Sequence, residues 1–115
     1  MAKAFIAIAL LTAATPAVFA QAPSPDIPTL AQALDRCMAT YAVRLTKTEM
    51  ADEAIFLAAT EGCKQIDADL MAVVRREIRS AQGEAAIAQW NAQAKPNFMK
   101  LLTRIRTDRA ARSGQ

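Results

Sequence analysis

The chain has 115 residues, 53% hydrophobic but only 5% aromatic, with a formal net charge of +3, two cysteines and no histidine. Lacking histidine, it lacks the commonest general base, triad member and metal ligand, and two cysteines cannot by themselves complete a four-ligand zinc site. Its composition therefore points away from histidine-dependent hydrolysis and soft-metal binding, and the expectation is a non-enzymatic protein with no metal and no cofactor.

The N-terminal stretch MAKAFIAIALLTAATPAVFAQAPSPD carries one positive charge at Lys3, an apolar run from Ala4 to about Ala14, a breaker at Pro16, and small residues at Val18 and Ala20. That order is the order of a secretory signal peptide, so residues 1–20 are read as a leader cut after Ala20. A cut after Ala22 also fits a small-x-small pattern but would leave Pro23 at the new N-terminus, where its fixed ring hinders an extended substrate. The alternative of an uncleaved anchor suits the run less well, since it lies at the short end of the ~17–25 residues a spanning helix needs. Residues 21–27 read as a proline-rich, disordered lead-in, 28–109 as a single helical domain, and 110–115 as a frayed tail. Export together with an even cysteine count predicts an oxidising destination, periplasmic or secreted.

Apolar residues recur every three or four positions after the leader, and little reads as strand. The first expected helix runs from about Ile27 or Pro28 to Leu45 with the stripe Ile27, Leu30, Leu34, Cys37, Tyr41 and Leu45. Thr46–Asp52 is the expected break, where Thr46 with Glu49 fits a capping box, Thr48 is a second N-cap candidate, and acidic residues favour a helix start. One long second helix is then expected to about Ser80, with Ile55, Ala59, Cys63, Ile66, Leu70 and Val73 inward; Gly62 weakens it but allows close approach of the first helix. Gly83 marks the next break and Glu84 opens a third segment that places Ile87, Trp90 and Ala94 on one face. Pro96 should kink or interrupt that segment before a last stretch carrying Phe98, Leu101, Leu102 and Ile105, with fraying after about Arg109. The expected fold is all-α: an antiparallel helical hairpin pinned by one disulfide, plus a kinked or broken C-terminal helix, three to four helices in total. Tyr41 and Trp90 read as core anchors with their polar tips near the surface.

Cys37 and Cys63 both fall on inward faces of neighbouring helices, and a structural disulfide is the economical reading. Free thiols, intermolecular pairing and redox work are the alternatives, but neither cysteine sits in a C-x-x-C. A turn at Thr46–Thr48 would leave hairpin arms of about 9 and 15 residues, a mismatch of about 9 Å at 1.5 Å per residue. A bridge needs Cα atoms ~5.5–6 Å apart, so the second helix is expected to start nearer Asp52, or the two helices to cross at an angle.

Charge is distributed unevenly. Gln21–Val74 holds four basic and eight acidic residues, whereas Arg75–Gln115 holds nine basic and three acidic. Arg75, Arg76, Arg79, Arg104, Arg106 and Arg109 are therefore candidates for a basic surface facing an anionic partner such as envelope lipid, the alternative being an ordinary charged face laced by helix pairs. Nucleic acid is an unsuitable partner for an exported chain with so few aromatic residues to stack on bases. Asp67 and Asp69, at i and i+2, point different ways on a helix and do not form a catalytic carboxylate pair. No glycine-rich phosphate loop or haem attachment motif is present.

Leu45-Thr46-Lys47-Thr48-Glu49 resembles, over five residues and with Glu in the last place, the Leu-Thr-x-x-Gln motif of the periplasmic spheroplast-protein-Y chaperones. The resemblance implies a small helical protein offering an apolar groove to an unfolded client. The functional expectation is accordingly an exported protein-interaction or chaperone-like module of the cell envelope, whose partner is another envelope protein or an unfolded client, with peripheral attachment to anionic envelope lipid through the basic C-terminal half as the second expectation.

Overall fold

A computed structural model of the chain describes residues 25–114, so the expected leader, its cut after Ala20 and most of the lead-in lie outside the described residues. Four helices follow in order: α1 (Ile27–Leu45), α2 (Asp52–Gly62), α3 (Lys64–Glu77) and α4 (Ala81–Ser113). Asp26 caps α1, its carboxylate accepting a 2.9 Å hydrogen bond from the Thr29 amide, and Pro28 stands in the first turn, where its missing N–H costs nothing.

Thr46 and Thr48 close α1 instead of opening the next helix. The Thr46 hydroxyl donates to the Ala42 carbonyl at 2.7 Å, and that of Thr48 donates to the Leu45 carbonyl at 2.6 Å. The capping box expected from Thr46 and Glu49 does not form; α2 begins at Asp52 after Ala51, with Asp52 and Glu53 supplying negative charge to its first turn. That later start brings the hairpin arms close enough to match, and Cys37 and Cys63 are joined by a disulfide with their Cα atoms 6.0 Å apart.

The single long second helix is in fact two. Cys63 leaves helical geometry at φ −108°, ψ 10°, and separates α2 from α3. Two bonds carry the chain across this joint, from the Cys63 amide to the Ala59 carbonyl at 2.9 Å and from the Asp67 amide to the Cys63 carbonyl at 3.1 Å. The break falls where glycine weakens the helix and where the next residue is covalently held to α1. A side chain at residue 62 would meet the phenol of Tyr41 where it now lies, so Gly62 leaves room for that ring between α1 and α2.

The turn into α4 also differs from expectation. It is centred on Ile78–Ser80, Ser80 takes a positive φ of 80°, and Gly83 lies within the first turn of α4. Gly83 is required for another reason, because a Cβ there would strike the Ile78 carbonyl. From Ala81 the helix continues through Pro96 without interruption. Pro96 has no N–H to give the Ala92 carbonyl, and Ala92, Lys95 and Pro96 are all exposed. Helical geometry persists to Ser113, four residues past the point where fraying was expected, and the Ser113 hydroxyl donates to the Arg109 carbonyl.

Two hydrophobic clusters hold the helices together. The first joins Leu34, Cys63, Leu70, Met71, Val74 and Ile87; the second joins Ala42, Ile55, Ala59, Phe98 and Leu102. Met38 and Tyr41 of α1 pack against both. In the second cluster the Phe56 and Phe98 rings meet in a tilted arrangement, with centroids 5.5 Å apart. α4 is therefore buried at Ile87 and again at Phe98 and Leu102, and at no residue between Ile87 and Phe98.

Candidate binding groove and the basic residues

Between its two anchors α4 runs from the cluster it shares with α1 and α3 to the one it shares with α1 and α2. Its inward positions there are Trp90 and Ala94, both half-buried. Ala94 presents only a methyl group where Ile87 and Phe98, two turns before and one turn after it on the same face, present large side chains, and the space this leaves is not filled from the other side. The result is an open groove of about 920 Å³. Leu34, Met38 and Ala39 of α1, Phe56 of α2, Cys63 at the α2–α3 joint, and Trp90, Ala94, Phe98 and Leu101 of α4 line it. Cys63 thus brings one end of the disulfide to the wall of the groove, and the bridge holds α1 to the α2–α3 joint.

The polar lining has a definite character. Gln89, Asn91, Gln93 and Asn97 place carboxamides along the exposed side of α4, and Thr60 adds a hydroxyl. Among the described residues, Asp35 and Asp67 are the only charged ones lining it, and no lysine or arginine does. Neither carboxylate has a cationic side chain within 4.0 Å among the described residues. The volume and the mix of apolar surface with a few polar groups are those of a ligand-binding cleft. Among the described residues no three cysteine, aspartate or glutamate side chains gather to hold a metal ion, and no helix is long and apolar enough to cross a membrane.

The six candidate arginines do not lie together. Arg75, Arg76 and Arg79 flank the α3–α4 turn, whereas Arg104, Arg106 and Arg109 lie near the far end of α4, about 35 Å along the helix at 1.5 Å per residue. Three of the six are engaged within the protein. Arg75 pairs with Glu84 at 2.9 Å, and Arg106 forms a salt bridge with Asp52 in the first turn of α2. Arg109 donates to the Thr46 hydroxyl at 3.2 Å and to the Val43 carbonyl at 3.3 Å, at the C-terminal end of α1 where free carbonyls attract a cation. Lys95, missing from the six, pairs with Glu53 at 2.6 Å. Arg76, Arg79 and Arg104 are exposed, with no carboxylate within 4.0 Å among the described residues.

The sequence placed Ile87, Trp90 and Ala94 on one face, and that is where they are. It did not disclose that Trp90 walls a groove, because the opposing surface is supplied by residues up to 60 positions away. The available signal was the small residue at position 94 between two large apolar anchors. No family model matches the chain, and no match was found among curated proteins or solved structures. The five-residue likeness of Leu45–Glu49 to the chaperone motif therefore stands alone, on a segment that closes α1.

Proposed function

We propose that the protein is an exported, non-enzymatic interaction module of the cell envelope that holds an apolar polypeptide segment in the groove between α1–α2 and the middle of α4. The observation that carries this reading is the groove itself, partly open to solvent and lined by Leu34 and Met38 among other apolar side chains. The carboxamides of Gln89, Asn91, Gln93 and Asn97 favour a polypeptide occupant over a lipid chain, since they can satisfy backbone or side-chain polar groups that an acyl chain lacks. Export, with cleavage after Ala20 and a periplasmic or secreted destination, is supported by the leader-like N-terminus and by a disulfide that an oxidising compartment would preserve.

The test is suppression of aggregation of a denatured client at molar ratios up to one, with Ala94→Leu as the control. Leucine at 94 fills the groove from its own wall without disturbing either hydrophobic cluster. The wild-type protein should delay aggregation and the variant should lose most of that effect; no delay by either would remove the reading.

A second reading, peripheral attachment to anionic envelope lipid through the basic C-terminal half, draws on the exposed Arg76, Arg79 and Arg104. Co-sedimentation with anionic vesicles should then exceed that with neutral vesicles and fall as salt shortens the reach of these charges to about 10 Å at 0.1 M. Equal recovery with both vesicle types would eliminate it.

A further inference from the structure

We infer that the occupant of the groove is a cationic amphipathic helix, with Asp35 and Asp67 selecting its charge. The inference rests on the groove reading above and adds the chemistry of the partner. Along α4 the groove extends from Ala86 to Leu101, about 22 Å at 1.5 Å per residue, which matches one face of a helix of about 15 residues. A single helix has one apolar stripe to lay on Leu34, Met38 and Phe98 and a polar remainder to meet the carboxamides and water, the helix-in-groove mode of recognition.

Charge complementarity decides the polar remainder. Asp35 of α1 and Asp67 of α3 line the groove, and among the described residues no basic side chain lining it offsets them. Asp67 is only half-exposed, so a carboxylate there gains more from a lysine or arginine brought by the partner than a fully solvated one would. The whole chain carries +3, so its long-range field favours an acidic partner. A preference for a basic helix can therefore come only from local groups such as these two.

The experiment uses two labelled 15-residue peptides sharing one leucine stripe at helical spacing, one with lysine and one with glutamate at every polar position, titrated with the protein in anisotropy measurements. The lysine peptide should bind about five- to tenfold more tightly than the glutamate peptide. That ratio should fall to about one, or invert, in the variant Asp35→Asn with Asp67→Asn, whose fold is checked by circular dichroism. Equal binding of both peptides by the wild type, lost in Ala94→Leu, would overturn the charge selection and leave the groove reading standing. Absence of binding by either peptide would overturn both.

Discussion

The phenol of Tyr41 occupies the space that a side chain at residue 62 would need, so α1 and α2 meet across a glycine. Two effects of opposite sign follow for Gly62→Ala. Alanine favours the helix by about 1 kcal/mol, whereas forcing a methyl group into a packed contact costs typically about 1–3 kcal/mol. The single substitution should therefore destabilise the protein in urea unfolding. In a Tyr41→Ala background the same change should become stabilising by up to about 1 kcal/mol, and failure of the sign to reverse would show that Tyr41 is not the obstacle.

The Cys37–Cys63 bridge closes a loop of 26 residues. In the chain-entropy account such a closure is worth about 3.5 kcal/mol, a large fraction of the stability of a small domain. Reduction, or replacement of both cysteines by alanine, should lower the urea midpoint correspondingly. Because Cys63 lies in the groove wall, the same treatment should also weaken client binding at temperatures where the protein remains folded.

Arg109 and Arg104 are five residues apart on α4 but differ in what they touch. Arg109 bonds Thr46 and the Val43 carbonyl, while Arg104 faces solvent. Arg109→Met should cost about 1 kcal/mol, the net worth of hydrogen bonds from a partly buried cation, and Arg104→Met should stay within about 0.5 kcal/mol of wild type. Equal effects in chemical denaturation would mean that the contact with the end of α1 carries no stability.

Asp26 gives the fold one acid-sensitive end. The hydrogen bonds from Thr29 hold its carboxyl below the ordinary value of 3.8. A depressed carboxyl stabilises the folded state fully above its unfolded value, and the contribution disappears as pH falls from there through the lower folded value. Amides in the first turn of α1 should therefore lose hydrogen-exchange protection as pH drops below about 4, after correction for intrinsic exchange. Asp26→Asn, which keeps a capping acceptor without the titration, should remove that dependence.

How far the sequence discloses this molecule depends on the range of the interactions involved. The face of α1 is set by local periodicity, and the inward placement of Cys37 and Cys63 made both their bridge and the late start of α2 legible through simple arm-length arithmetic. The joint at Cys63 was hidden, because the apolar stripe of α2 continues in phase into α3 and the break arises from the tie to α1. Thr46 was misassigned for a similar reason: a threonine at a helix boundary can bond forward or back, and the guanidinium of Arg109, 63 residues on, settles it. The charge imbalance was visible, but not that Arg75 is matched to Glu84 across the α3–α4 turn, or Arg106 and Arg109 to Asp52 and the end of α1, since the last two depend on the register of α4 over the α1–α2 turn. The groove was the least legible feature of all, being defined by what Ala94 fails to fill.

The proposed function puts an apolar polypeptide segment against Trp90, the only tryptophan in the chain. Its emission can therefore be assigned without mutagenesis. Titrating the wild-type protein with the tryptophan-free, leucine-striped lysine peptide should shift that emission to shorter wavelength and reduce its quenching by acrylamide, with saturation near one peptide per protein. Unchanged emission and unchanged quenching, under conditions where anisotropy shows the peptide bound, would place the binding surface elsewhere and contradict the account.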